Sequence, residues 1–191
     1  GAFMEGFFYP RWLPDNYGGY GYPDFVFYQP GFFYSVLAFS FIFGDVIRSF
    51  YASIIFFMFV GGVGVYFLLR RIYGGAGALP GAMIFCLTPY MFVNIYVRGD
   101  LAEFASMALI PWPLYFLSKL EEKLRLREDF RADFAFFSIA CGALVYMHPF
   151  TAMFFYPALL IFSAIFSFTG EKKHFLKTIF LCGCGLFAGA L

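Results

Sequence analysis

Apolar positions in this chain fall in long blocks rather than in strict alternation, and blocks of this length predict helices that cross a bilayer. The blocks lie at 49–69, 76–96, 101–118, 134–148 and 150–168, with a further one starting near 175. Hydrocarbon offers the backbone no partner, so each block must satisfy its own N–H and C=O groups as helix. The pattern therefore predicts an all-α, polytopic bundle of about six spans.

The polar breaks between blocks are of two kinds. Arg70-Arg71, the run from Lys119 to Asp133, and Glu171-Lys172-Lys173 through Lys177 hold ten of the thirteen Lys and Arg residues. These breaks alternate with others that hold only Arg11, Arg48 and Arg98. The positive-inside rule places the ten in the cytoplasm and the remaining breaks outside, as in the plasma membrane of a prokaryote. Six of the twelve acids, Glu5, Asp15, Asp24, Asp45, Asp100 and Glu103, fall on the outer side.

Phe25 to Phe43 is also apolar, but a crossing there would reverse the parity of everything before it and leave Arg48 opening a span. Gln29-Pro30-Gly31 interrupts the stretch, and the apolar remainder after Pro30 is too short to cross. It reads as an interfacial helix on the outer surface. Residues 1–48 thus form an extracytoplasmic loop with that helix, and 49–191 a transmembrane bundle. With Gly1 at one end and an apolar run reaching Leu191 at the other, the sequence reads as a fragment.

Composition agrees: 62% of residues are hydrophobic and only 13% charged, well beyond soluble domains. With a net charge of +1 and its bases beside spans, the chain has no surface for nucleic acid. Membrane lipids are the expected surroundings. Cys86, Cys141, Cys182 and Cys184 all lie inside apolar blocks and read as buried packing rather than a metal or disulfide set.

Candidate chemistry gathers on the outer breaks. Residues 9–30 are dense in Gly, Pro and aromatics and cannot form a regular helix. Trp12, Tyr20, Tyr22 and Tyr28 offer flat faces with polar tips for sugar rings or lipid headgroups, and serve equally as an aromatic belt. Asp15, between Trp12 and Tyr17, is expected to be partly desolvated, able to take a proton or hold a divalent ion such as Mg²⁺ or Mn²⁺; its plain alternative is an Asx-turn. In Tyr96-Val97-Arg98-Gly99-Asp100-Leu101-Ala102-Glu103 one span ends and the next begins, with Glu103 one turn inside the returning helix. There Glu103 is a candidate acid or base and Arg98 a candidate phosphate ligand, while Asp100 suits the helix dipole. His148, before Pro149, ends another outward span and is a fourth candidate at the same level.

The pattern Tyr9-Pro10-Arg11-Trp12 through Asp15, with Gly19-Tyr20-Gly21-Tyr22-Pro23 and Tyr28-Gln29-Pro30, resembles the polytopic family called 6-pyruvoyl-tetrahydropterin synthase-related membrane domain. Tyr96-Val97-Arg98-Gly99 with Glu103, and His148 with Thr151-Ala152, fit it too. The name implies pterin chemistry, yet the chain holds only His148 and His174 and lacks the zinc-binding histidines of the soluble synthases.

The layout also resembles the GT-C membrane glycosyltransferases. That resemblance implies transfer of a sugar from a polyprenyl-phosphate donor at the outer face. Asp15 would then be base or metal ligand and Glu103 the second carboxylate. Arg98 would hold the donor phosphate, His148 would be an auxiliary phosphate contact, and Arg11 and the loop aromatics would contact the substrate. A transporter or flippase of a lipid-linked or polymeric substrate, for which Pro80 and Pro89 supply a broken span, and a non-catalytic scaffold are the alternatives.

Overall fold

The structure, a computed structural model, describes residues 12–23, 25, 28–168, 180 and 184. Arg11 and the span expected from about 175 lie outside the described residues. All the regular elements described are helical. They are α1 (Gly31–Phe43), α2 (Val46–Tyr73), α3 (Ala78–Cys86), α4 (Pro89–Phe92) running on as a π-helix (Val93–Arg98), α5 (Leu101–Leu109), α6 (Pro111–Leu126), α7 (Arg131–Met147) and α8 (Pro149–Phe168).

Among the described residues, three stretches are long and apolar enough to cross a bilayer: Val46–Tyr73, Ala78–Arg98 and Leu101–Leu126. They correspond to the first three expected spans: the first is longer at both ends, the second is shifted by two residues and the third is longer at its C-terminal end. The expected span at 134–148 is helix α7, whose 17 residues cover about 25 Å, short of a hydrocarbon core of about 30 Å. The expected span at 150–168 is α8, apolar but broken in pattern by Pro157.

The second span is not one smooth helix. Leu87 and Thr88 leave the helical path, and Pro89 opens a new turn, since proline supplies no N–H and fits best at a helix start. The third is continuous through Ile110, which keeps helical angles ahead of Pro111. It also runs past the expected end at 118, because Lys119, Glu122 and Lys123 find partners on neighbouring elements.

Close backbone packing holds the spans together. A Cβ on Gly61 would lie 2.8 Å from a Phe85 ring carbon and 3.1 Å from Ala108 Cα, and one on Gly64 would meet Trp112 and Pro111. Small residues let helices approach where no hydrophobic difference between lipid and side chain drives them together. Phe32, Ile54, Phe57, Leu101, Phe104 and Ala108 fill the core around this contact. Leu117, Leu120, Leu124, Phe137, Cys141 and Leu159 form a second core between α6, α7 and α8. Trp112 donates to Val60 O (3.2 Å), and Tyr156 to Cys141 O (2.7 Å).

Helix α1 packs on the first half of α2, with Phe32 stacked on Phe57 and edge-on to Phe50. Gly44, at φ 64°, lets the chain reverse, and Asp45 caps α2 by accepting from Ile47 and Arg48 N–H.

Polar side chains gather at the two ends of the bundle. At one, Arg71 donates to Ser118 O (3.1 Å) and pairs with Glu122, while buried Asp133 takes Lys119 (2.6 Å) and Lys123 (2.7 Å). Two of the three basic breaks therefore meet at one end, as strict alternation requires. Arg98 and its partners lie at the other.

Gly61→Val is expected to force α2 and α5 apart, lowering stability by about 1 to 3 kcal/mol, the usual range for overpacking. Thermal aggregation of the detergent-solubilised protein reads this; an unchanged midpoint would mean that the contact is not tight.

Candidate functional site

The chain reverses sharply between the π-helix and α5. Gly99 adopts φ 64°, a conformation that favours glycine, and Asp100 then caps α5 by accepting from the Glu103 N–H at 3.0 Å. Two residues of connection set the end of one span against the first turn of the next. Arg98 and Glu103 meet for that reason.

Arg98 is the centre of the arrangement. One terminal nitrogen lies 2.8 Å from Glu103 Oε2, 2.9 Å from Asn94 Oδ1 and 2.8 Å from the Tyr90 hydroxyl. The other lies 3.6 Å from Asp100 Oδ2. Tyr90 in turn donates to Glu103 Oε1 at 2.6 Å, so both carboxylate oxygens are held. Asn94 is fully buried, and its amide nitrogen points to Met107 Sδ at 3.6 Å. The Arg98 side chain is 43% exposed, against 15% for Glu103. The guanidinium thus offers an open flank, while the carboxylate lies inward. Arg98, Asp100 and Glu103 together carry a net charge of −1.

The sequence pattern does not single out Tyr90 and Asn94, which sit inside an apolar span; their spacing from Arg98, eight and four residues back, is the available signal. A π-helical stretch carries Asn94 and Arg98, and such wide turns recur at functional positions.

Tyr28, expected as a substrate contact, has a structural role here. Its hydroxyl accepts from the Ala102 N–H at 3.0 Å, satisfying a second orphan donor of α5. Burial pushes its phenol above the ordinary pKa and the Asp100 charge adds to that, while the Ala102 hydrogen bond pulls the other way.

Among the described residues, the remaining candidates make no hydrogen bond or ion pair with the Arg98 cluster. Residues 12–23 form a small hairpin closed by Leu13 and Tyr22, which exchange backbone hydrogen bonds of 2.9 and 3.1 Å. Gly18 and Gly19 take positive φ, and Trp12 lies so flat on Gly21 that a Cβ there would meet the indole at 2.5 Å. Trp12, Tyr20 and Tyr22 are exposed on it. Asp15 is exposed as well, on the turn after Pro14.

His148 links α7 to α8. Its Nδ1 accepts from the Thr151 N–H (3.3 Å) and lies 2.8 Å from Thr151 Oγ1, the geometry of a helix cap. Among the described residues, no group of three or more His, Cys, Asp or Glu side chains could hold a metal ion. Asp100 and Glu103 form only a pair, and both already face Arg98, so the donor set does not suit a divalent ion.

Tyr28→Phe should leave the Ala102 N–H without its acceptor and lower stability by about 1 kcal/mol. The check is the thermal midpoint in detergent, with Tyr20→Phe on the exposed hairpin as a control that stays at wild type.

The model of a family described as a 6-pyruvoyl-tetrahydropterin synthase related domain, a membrane protein, matches residues 25–190. No curated protein and no solved structure matches the chain.

Proposed function

The chain belongs to this 6-pyruvoyl-tetrahydropterin synthase related family of membrane proteins, and we propose that it acts as a membrane transferase on a phosphate-linked lipid donor, at the extracytoplasmic end of its bundle. The observation that carries the reading is Arg98, half-open to its surroundings and tied at its inner side to Glu103. The sidedness rests on the basic breaks, which mark the opposite end as cytoplasmic.

In this reading a sugar arrives on a polyprenyl phosphate, as in the GT-C glycosyltransferases whose layout the chain resembles. The donor phosphate competes with Glu103 for the guanidinium, which suits bidentate oxygen pairs. The carboxylate released from the guanidinium is still held in place by the Tyr90 hydroxyl. Glu103 then takes the proton of an acceptor hydroxyl as that oxygen bonds to the anomeric carbon. The bond from that carbon to the phosphate oxygen breaks, the electron pair stays on the phosphate, and Arg98 stabilises the added charge. Asp15 has no part in this sequence of steps.

A second reading, proton-linked transport of a lipid substrate, is favoured by the interruption of the second span at Leu87 and Thr88.

Glu103→Gln keeps the shape and removes the base, so transfer should fall by about 10² to 10⁴-fold. In cells carrying the full-length protein, mass spectrometry of lipid extracts should show the unconsumed lipid-linked donor accumulating. Arg98→Ala should do the same. A donor pool of unchanged size but reversed sidedness would point to transport, and unchanged pools in both variants would end the transferase reading.

A further inference from the structure

Register between α2 and the third span fixes how deep the Arg98 cluster lies. Arg71 bonds to Ser118 O, 47 positions on, and the contacts of Gly61 with Ala108 and Gly64 with Pro111 keep the same offset. The two helices therefore run parallel and in step. Ile54 and Phe57 share one core cluster with Leu101 and Phe104, which extends that register to the start of α5. Arg98, Asp100 and Glu103 lie level with Ile54, and α2 continues past them from Ser53 back to Val46, about 12 Å of helix at 1.5 Å per residue.

The exposed surface of that protruding end is mostly apolar. Val46, Ile47, Phe41 and Ile42, at the junction of α1 and α2, are each at least two-thirds exposed. Ile47, Tyr51, Ile55 and Phe59 form one exposed stripe at four-residue spacing, 56–69% exposed, running from the tip into the middle of the spanning helix. A water boundary beside Arg98 would cut this stripe in two, leaving half of it in solvent. Charges first appear at its top, where Asp45 caps the helix and the Arg48 side chain is 77% exposed. Arg48 is placed to reach the headgroups.

We propose that the joined ends of α1 and α2 are immersed in the outer leaflet, with lipid chains as their partner. The Arg98–Glu103 pair then lies about 10 Å beneath the headgroup boundary, open to the lipid phase. Continuity of the exposed stripe with the lipid-facing side of the span identifies that partner. Ionisable groups held inside a membrane are costly and mark ligand paths. The open flank of Arg98 at this depth is suited to a ligand that carries its polar group on an apolar tail and enters sideways from the leaflet. The inference holds for the transferase and the transport readings alike, and fails independently of both.

Depth-resolved quenching tests it. In full-length protein with Trp12→Phe, Trp112→Phe and any tryptophan outside residues 1–191 likewise replaced by Phe, a single tryptophan is introduced by Ile47→Trp or Tyr96→Trp, and the protein is reconstituted with phosphatidylcholines brominated at different acyl positions. Bromines near the headgroup should quench best the tryptophan that replaces Ile47. Bromines further down the chains should quench best the one that replaces Tyr96, with maxima separated by about 10 Å. Quenching of the former by aqueous iodide instead would put the helix ends in water and the Arg98 pair at the surface. Equal depths would also overturn the proposal, and so would silence towards both quenchers, which would mean cover by protein. Should the tryptophan replacement fail to fold, nitroxides on cysteines at 47 and 96 read the same depths from collisions with oxygen and Ni(II).

Discussion

The close approach of α2 to α5 is the contact on which the rest of the molecule depends. Gly61 has no room for a methyl group between Phe85 and Ala108, and Gly64 none beside Trp112 and Pro111. Lipid is as apolar as the side chains, so packing of small residues, not exclusion from water, selects this register over its neighbours. Once the register is set, Arg71 falls beside Ser118 and Glu122 at one end, and the Arg98 turn is carried to a fixed level at the other. The two polar layers are consequences of a single apolar contact.

At the Arg98 turn the charges would repel one another without their geometry. Two carboxylates lie against one guanidinium, but Asp100 also caps a helix and Glu103 also receives the Tyr90 hydroxyl, so each has a second stabilising partner. Buried Asn94 holds the guanidinium from behind. Such a network is rigid while the side chains pair among themselves. The proposed ligand would have to displace one of these partners from the guanidinium.

Much of the site was legible in the residues. The run from Tyr96 to Glu103 places a glycine where the chain must reverse, an Asp where a helix needs a cap and a Glu three residues later, each a local signal read from neighbours in sequence. Tyr90 and Asn94 were not legible, since a polar residue inside an apolar span declares no direction until its helix is packed. Tyr28 carried an aromatic signal that suits a ligand or a belt equally, and only its meeting with Ala102 makes it a cap. His148, read from the sequence as a polar group ending an outward span, also caps the joint between α7 and α8 through Thr151.

The sequence by itself determined that this is a helical membrane protein, which breaks are basic and which are not, and where the chain turns back at Gly99. Those properties come from hydrophobic length, from charge and from single-residue backbone preference, all of which act over a turn or two. Only tertiary structure decided that Arg98 holds Glu103, Asn94 and Tyr90 at once, that Asp15 sits on an exposed hairpin, and at what level the ionic pair lies along α2. Level and partnership depend on how helices distant in sequence slide against one another. That sliding is stopped by the shape of glycine and alanine surfaces in contact, a property of two segments together that neither carries alone.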